Sequence, residues 1–251
     1  MVTQNKTKIS GVQLDLKFDK ESFSEEEVSL VNDIFGLFVK NVYFKLVVDE
    51  KIRDTDRIVN FFGISGAGKT IIKDALKEQV VLDPEVNTLD FDDISDKEWM
   101  GYKDKTIIEL LDIRTGEDEI LKIISGFGLF EMRILLTPIK LLSQGQQTRL
   151  KYIFLLNQIK EDQENYVFID ECLTYVDSLS ATSFSKTLAK YLKGKPVRLY
   201  TFGVNDALIG QFEDVTFVLG NAGINAEIRN GEIEYKDDYI DVPNVHKTEE
   251  W

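Results

Sequence analysis

Gly63-Ile-Ser-Gly-Ala-Gly-Lys-Thr70 is the segment of this chain that most strongly indicates its fold. It matches the phosphate-binding pattern G-x-x-x-x-G-K-[ST] at every fixed position. Its glycines let the backbone curl so that successive N–H groups converge on phosphate oxygens, and the positive end of a following helix points to the same place. Residues 57–62 read as a strand, and apolar residues recur at helical spacing over 71–76. Strand, glycine loop and helix are the context that the pattern requires, and we therefore predict a phosphate-binding loop.

A second chemical feature is Tyr166-Val-Phe-Ile-Asp-Glu171, an apolar strand that ends in two adjacent carboxylates. Taken alone, such a run is equally a plain strand terminus. Downstream of a phosphate loop we interpret Asp170 as a metal ligand and Glu171 as the group that activates or orients water. In the loop itself, Lys69 would bridge the β- and γ-phosphates and Thr70 would ligate Mg²⁺.

A third segment, Leu142-Ser-Gln-Gly-Gln146, opens a predicted helix over 143–160. Ser143 is a common helix N-cap residue, and by itself that interpretation is favoured. The backbone N–H groups of Gly145 and its neighbours also form a natural anion site at the helix N-terminus. The position of the segment between the other two motifs favours this second interpretation.

The three segments, in this order, resemble those of the ABC-type ATPase family, in which two nucleotide-binding domains close face to face around ATP. The resemblance covers about residues 35–235. It implies an ATP hydrolase with ATP and Mg²⁺ as cofactors. It also implies a composite site, in which the family's signature segment (142–146 here) grips the γ-phosphate bound by a second copy or by another ABC-type chain. The residues implied are Gly63, Ser65, Gly66, Ala67, Gly68, Lys69 and Thr70 for ATP, Ser143, Gly145 and Gln146 for the signature in trans, Thr70 and Asp170 for the metal, and Glu171 for catalysis.

Several positions depart from the family pattern. Gln144 replaces the usual glycine of the signature segment. The switch histidine is absent, because the only histidine is His246, and Val204 or Asn205 stands in its place. Gln79 comes too early to be the glutamine that senses Mg²⁺ and, in transporters, couples to membrane domains. These departures favour a specialised soluble, non-transporter branch.

The resemblance also implies roles for two residues outside the three segments. Asp177 occupies the position of the family's D-loop aspartate, which couples the two sites across the dimer. Adenine needs a flat apolar partner upstream of the phosphate loop, and Phe35 and Phe38 are placed to stack on it. A core position is the alternative for both rings, and we assign Phe35 to ATP binding. Four features resemble a soluble branch in which the ATPase is often associated with an acetyltransferase, which has no counterpart in this chain: Trp99 and the segments 106–111, 127–129 and 171–177.

Composition and net charge indicate which cellular compartment and which binding partners suit this chain. The 251 residues carry a net charge of −14, which repels phosphate backbones and disfavours nucleic acid as a partner. No run of about 18 apolar residues is present, and we expect no membrane insertion. Cys172 is the single cysteine, which excludes an intramolecular disulfide and suits a reducing cytosol. We therefore expect a soluble, cytoplasmic protein.

Strand and helix patterns alternate along the chain and predict an α/β fold, a P-loop NTPase of ABC type with a mainly parallel sheet. We expect a small antiparallel part near the N-terminus, a helical subdomain over about 83–160 and a polar tail at 241–251, all in one domain over 1–251. Residues 83–104 read as irregular, and Asn230-Gly231 predicts a hairpin. Within the irregular stretch, a solvated acidic loop is favoured over a calcium site for Asp90, Asp92, Asp93 and Asp96.

Three functions follow from these observations. The first is a soluble ATPase that dimerises on ATP, hydrolyses it slowly and switches an unidentified effector protein. The second is the ATP-binding subunit of an ABC transporter whose membrane part is a separate chain; the missing glutamine and histidine disfavour it. The third is an ATP sensor that does not hydrolyse, and the presence of Glu171 disfavours it.

Overall fold

The computed structural model describes residues 9–19, 24–26, 29–30, 42–113, 118–171, 178–204, 213–220 and 223–236. In chain order the strands are β1 (Gly11–Asp19), β2 (Val42–Lys51), β3 (Ile58–Gly63), β4 (Val86–Asp90), β5 (Glu164–Ile169), β6 (Val197–Gly203), β7 (Val215–Leu219), β8 (Ile224–Arg229) and β9 (Glu232–Tyr235). The helices are α1 (Lys69–Glu78), α2 (Asp96–Gly101), α3 (Ile107–Leu110), α4 (Asp118–Gly126), α5 (Met132–Leu135), α6 (Gln144–Leu156) and α7 (Ser178–Leu192), with 3-10 turns at Phe91–Asp93 and Ile139–Leu141.

A mixed sheet forms the centre of the described structure, with strand order β4-β5-β6-β3-β7-β8-β9. Neighbouring strands from β4 through β7 are parallel, and β8 and β9 join antiparallel. β1 and β2 form a separate antiparallel pair. β6 is buried along its whole length, as expected for an apolar strand that is covered on both faces. The predicted α/β fold, with its mainly parallel sheet and its small antiparallel part, is confirmed.

Successive residues of β5 point to opposite faces of the sheet and fill two separate cores. Tyr166 and Phe168 belong to the core that includes apolar residues of α1, β1 and β2. Val167 and Ile169 belong to the core beneath the helices between β4 and β6. The sheet therefore separates a helical layer, which carries the signature segment, from a layer that contains the helix after the phosphate loop.

The carboxyl ends of β3, β5 and β6 lie at the same edge of the sheet, because these strands are parallel and β6 lies between the other two. The chain leaves them at Gly63, Ile169 and Gly203, respectively. In open α/β sheets the crevice outside the carboxyl ends of the strands is where ligands bind.

Two strands were missed by the sequence patterns. Residues 83–104 were expected to be irregular, but they contain β4, which pairs with β5 at the edge of the sheet, and α2, which is capped by Ser95. Only the last two residues of β4 are buried, so its sequence carries almost no apolar pattern. β1 also went unpredicted, although Val12, Leu14 and Leu16 alternate with polar residues. The predicted hairpin is confirmed, with Asn230 at φ 52° between β8 and β9.

In the described part of the chain, no helix is both long enough and apolar enough to cross a membrane.

Candidate functional site

The phosphate loop has the backbone shape that its glycines allow. Gly66 and Gly68 have φ of 82° and 87°, in the left-handed region where a Cβ atom is strained. At Gly68 a Cβ would also come within 2.7 Å of the Leu46 side chain. α1 begins directly after Gly68, which provides no side-chain cap. The first N–H groups of α1 have no partner within the helix and are available to an anion.

Lys69 lies inside the loop. Its Nζ donates hydrogen bonds to the carbonyl oxygens of Gly63 and Ile64, both at 2.8 Å. Burial of the ammonium lowers the pKa of Lys69, while the charges of Asp170 and Glu171 oppose that shift. The loop therefore holds a positive charge close to the two carboxylates at the end of β5.

Thr70 and Asp170 meet directly. The Thr70 hydroxyl donates a hydrogen bond of 2.7 Å to Asp170 Oδ2, and the backbone N–H of Glu171 donates to Asp170 Oδ1 at 2.8 Å. A hydroxyl beside a carboxylate is a pair of hard oxygen ligands and fits Mg²⁺. Among the described residues no group of three acidic, His or Cys side chains could hold a metal. An ion at Thr70 and Asp170 would therefore take its other ligands from water and phosphate, as Mg²⁺ usually does.

Glu171 has a strained backbone. Its φ is 48°, in the left-handed region that costs a residue with a Cβ about 1–2 kcal/mol. The side chain is exposed and lines the same cavity as Lys69 and Thr70. A strained residue at the end of a buried strand is typical of a functional position.

These side chains share a cavity of about 680 Å³ at the carboxyl edge of the sheet. Its lining is formed by Ser65, Gly66, Gly68, Lys69, Thr70, Ile71, Asp170, Glu171, Gly203 and Val204. Two predicted ATP residues are not part of it. A Cβ at Gly63 would lie 2.9 Å from that of Leu219, and Ala67 is 3% exposed. Both residues therefore support the phosphate loop from its buried side and do not line the cavity.

Sequence patterns did not predict that Gly203 and Ile71 line this cavity. Gly203 ends β6, and only the position of β6 between β3 and β5 brings it to the site. Val204, expected near the missing histidine, does line the cavity and is 46% exposed. It presents an apolar side chain to the site.

The signature segment lies elsewhere in the same chain. Ser143 is the N-cap of α6: its hydroxyl accepts from the Gln146 N–H at 3.3 Å, and the Gln146 side chain accepts from the Ser143 N–H at 2.9 Å. Ser143, Gly145 and Gln146 do not line the phosphate-loop cavity of their own chain. Ser143 therefore caps its helix, as its residue type alone suggests, and its anion-binding role stays a prediction.

A second cavity, of about 670 Å³, lies on the other side of Asp170 and Glu171. It is bordered by the 3-10 turn after β4, by α2 and by α6, and its lining includes Asp92 and Gln144. Sequence patterns did not assign Asp92 to the site. The strand β4, which they missed, is what delivers this residue next to β5.

The expected solvated acidic loop is wrong for Asp90, whose side chain is 2% exposed. Lys77 Nζ lies 2.7 Å from Asp90 Oδ2, and Lys73 forms ion pairs with Asp90 and Asp92. Burial lowers the pKa of Lys73, but the hydrogen bond to Asp92 and the nearby carboxylates outweigh burial, so this pKa is raised. These aspartates, at the end of β4 and in the 3-10 turn after it, are therefore held by lysines of α1.

The remaining predicted residues are away from the site or outside the described residues. Gln79 Nε2 donates to the Gly11 carbonyl at 3.0 Å, which ties α1 to β1. It has a packing role, in keeping with its early position. The predictions for Phe35, Asp177, Asn205, Cys172 and His246, and for the tail at 241–251, concern residues outside the described part of the chain.

Comparison with solved structures gives the fold. A bacterial ABC transporter cassette in dimeric form matches 88% of this chain and 98% of its own, with a TM-score of 0.55 and 12% identity. A bacterial Atm1-family ABC exporter with ATP bound matches 88% of this chain and 38% of its own, with a TM-score of 0.53 and 14% identity. An archaeal ribosome recycling factor, in complex with ribosomal stalk protein, matches 74% of this chain and 41% of its own, with a TM-score of 0.51 and 14% identity.

The chain therefore has the fold of ABC-type ATP-binding cassettes, as its three sequence segments predicted. No protein-family profile and no curated protein sequence matches it.

Proposed function

We propose that this chain is an ABC-type ATPase that binds MgATP at a composite dimer interface and hydrolyses it slowly to switch a partner. One observation carries the proposal: the phosphate loop, Lys69, the Thr70–Asp170 pair and Glu171 line one cavity at the carboxyl edge of the parallel sheet. The fold of ATP-binding cassettes supports the same chemistry. Residues 1–251 would form one domain of this type.

ATP binding would rest on the phosphate loop. The N–H groups of the loop and of the first turn of α1 bind phosphate oxygens, and Lys69 exchanges its contacts with the Gly63 and Ile64 carbonyls for the β- and γ-phosphates. Phe35 is our candidate for stacking on adenine. Specificity for ATP over other triphosphates rests on that assignment alone.

Hydrolysis would use the carboxylates at the end of β5. Thr70 and Asp170 would hold Mg²⁺, which neutralises charge on the phosphates when it is bound. Glu171 accepts a proton from water while the water oxygen bonds to the γ-phosphorus and the bond from that phosphorus to the β–γ bridging oxygen breaks. ADP and phosphate are the products.

The second half of the site would come from another chain. Ser143, Gly145 and Gln146 lie outside the phosphate-loop cavity of their own chain. An α6 N-terminus from a facing subunit is suited to grip the γ-phosphate. Asp177 would couple the two sites, and the second chain is a copy of this one or another ABC-type chain. The dimeric form of a similar transporter cassette supports this arrangement.

Two candidate functions differ in the partner that the ATPase would switch, which is either a membrane chain or a soluble effector protein. A transporter subunit with a separate membrane chain is supported by the similar structures, several of which are transporter cassettes. A soluble switch in the cytoplasm is supported by the sequence departures: Gln79 ties α1 to β1, and Val204 brings no polar group to the cavity. One of the similar structures is an archaeal ribosome recycling factor in complex with a ribosomal stalk protein, and not a transporter cassette. We favour the soluble switch, with an effector protein and not nucleic acid as the partner.

The decisive experiment uses Glu171→Gln, which keeps ATP binding while removing the base. With MgATP, this variant should form a stable dimer by light scattering and should hydrolyse ATP far more slowly than the wild type. Glu171→Gln combined with Ser143→Arg should stay monomeric, because the helix N-terminus is then blocked. A monomer at saturating MgATP in Glu171→Gln, alone and mixed with candidate ABC-type chains, would contradict the composite site.

A further inference from the structure

Four large apolar side chains lie exposed in one short segment of the helical layer. Phe130, Met132, Leu136 and Leu141 are 53%, 78%, 58% and 69% exposed, respectively. Apolar residues scattered singly over a surface need no explanation, but a cluster of them marks an interaction site. Together with its cationic border, described below, we call this cluster the basic apolar patch.

Backbone hydrogen bonds give this segment a defined shape. The Leu136 N–H donates to the Met132 carbonyl at 3.2 Å, and the Thr137 hydroxyl donates to the Arg133 carbonyl at 2.6 Å. Met132 and Leu136 are four residues apart in this turn and therefore lie on one side of it. Ile134 and Leu135 are half-buried and pack against the core of the helical layer. The exposed side chains are thus additional to those that the fold uses.

Cations border the apolar side chains. The Ile139 N–H donates to the Lys105 carbonyl at 2.9 Å and the Lys140 N–H to the Lys103 carbonyl at 3.0 Å, so 103–105 lies beside the end of the segment. Segments 103–105 and 130–141 carry four cations and two acids, a net charge of +2, in a chain of net charge −14. The cations, all exposed, are Lys103, Lys105, Arg133 and Lys140.

Pairing within the patch leaves most of this charge available. The ion pair of Lys140 with Asp104 spans 2.7 Å, but both side chains are more than half exposed, at 52% and 65%. Exposed ion pairs are weak and readily exchange partners. Lys105 Nζ lies 5.3 Å from the centre of the Tyr102 ring, and its charge also acts on the exposed carboxylate of Glu109. Both contacts are at the surface, so the ammonium can exchange them for a partner.

We propose that the basic apolar patch binds an acidic amphipathic segment of a partner protein. Leucine or phenylalanine side chains of that segment cover Met132 and Leu136, and its carboxylates pair with Arg133 and Lys140. The charge decides between occupants. A second copy bound through the same patch would place cations opposite cations, and an anionic bilayer is repelled by the net charge of −14. A short acidic segment meets only the local positive charge, because charges farther away than about 8–10 Å are screened.

The basic apolar patch lies directly beside the signature segment. Leu141 lies two residues before Ser143, the N-cap of α6, and the 3-10 turn Ile139–Leu141 leads directly into that cap. An occupant of the patch is therefore adjacent to the signature segment. Binding itself does not depend on the proposed ATP chemistry, so failure of either proposal leaves the other standing.

The test begins with a phage-displayed library of random peptides of about 16 residues, long enough for roughly four helical turns. The full-length wild type is the bait, and counter-selection uses Met132→Ser/Leu136→Ser. Enriched peptides are then synthesised with a fluorescent label and titrated by anisotropy. Two patch variants are compared with the wild type: Met132→Ser/Leu136→Ser and Arg133→Glu/Lys140→Glu. The matched controls are Leu82→Ser, at a site that is 90% exposed, and Lys160→Glu, both outside the patch.

We expect enriched peptides that alternate acidic and apolar residues at helical spacing. Each patch variant should weaken their binding by about tenfold or more, and the controls should leave it unchanged. Raising the salt concentration should weaken peptide binding to the wild type, because salt screens the exposed cations that border the patch. Circular dichroism of each variant checks that the fold is kept.

The proposal fails if no peptide is enriched, if neutral or basic peptides are enriched, or if the patch variants bind as the wild type does. Two other results would assign the patch to a different occupant. One is patch-dependent binding to phosphatidylglycerol vesicles without any peptide binding. The other is concentration-dependent self-association in light scattering that Met132→Ser/Leu136→Ser abolishes.

Discussion

At most positions a glycine variant is less stable than the alanine variant. At position 171 we expect the reverse, with Glu171→Gly more stable than Glu171→Ala. Both variants lack the carboxylate, so only the Cβ atom separates them. At φ 48° an alanine pays about 1–2 kcal/mol for the left-handed conformation. Glycine avoids this cost but loses about 0.4–1 kcal/mol through the greater freedom of its unfolded chain. We therefore expect Glu171→Gly to be more stable than Glu171→Ala, by about 0.8 kcal/mol at the middle of these ranges and by at most about 1.6 kcal/mol.

Urea unfolding measures this difference as a shift of the midpoint at constant m-value. The matched pair is Lys186→Gly and Lys186→Ala, at an exposed position in the middle of α7. There the glycine variant should be the less stable by about 1 kcal/mol, because glycine is a poor helix residue. The sign of the difference should thus reverse between positions 171 and 186.

The same variants test the catalytic assignment. Both Glu171→Gly and Glu171→Ala should lower steady-state ATP hydrolysis by about 10²–10⁴, since each removes the group that accepts the proton. A Glu171→Gly protein that is less stable than Glu171→Ala would show that the backbone at this position is not strained. A variant as fast as the wild type would refute the role of Glu171.

The remaining predictions concern the same cavity. Lys69→Met should abolish most ATP affinity in a calorimetric titration, with Lys160→Met unchanged as the control; wild-type affinity in Lys69→Met would exclude the loop as the nucleotide site. Because burial lowers the pKa of Lys69, its charge is lost as pH rises toward the usual 10.5, and ATP affinity should fall at a lower pH than an exposed lysine would give. Val204→His should raise the slow rate of ATP hydrolysis. The increase should reach about 10²–10³ if the histidine restores one polar contact to the transition state. An unchanged rate would show that position 204 is not where this contact is missing.

Much of the site chemistry could be predicted from the sequence because it depends on local order. The glycine spacing of 63–70 requires positive φ at Gly66 and Gly68, and the structure has it. An apolar run followed by Asp170 and Glu171 can only be a buried strand that delivers carboxylates at its end, or its plain terminus. The ABC-type fold followed from the order of three such segments along the chain.

What the sequence could not give is which strands lie side by side. Thr70 and Asp170 are 100 positions apart, and their hydrogen bond exists only because β6 lies between β3 and β5. Apolar periodicity marks a strand but carries no information on its neighbours. For the same reason Gly203 became a lining residue of the site only in the folded chain.

The acidic stretch after α1 shows the limit most clearly. Its aspartates look solvated in the sequence, because unpaired carboxylates are rarely buried. In the fold, Lys73 and Lys77 of α1 reach the end of β4 and neutralise Asp90 in a buried position. The local structure of each motif follows from the chain, since it depends on steric and hydrogen-bonding preferences of neighbouring residues. Burial and charge pairing emerge only on folding, since they depend on contacts between residues far apart in the chain.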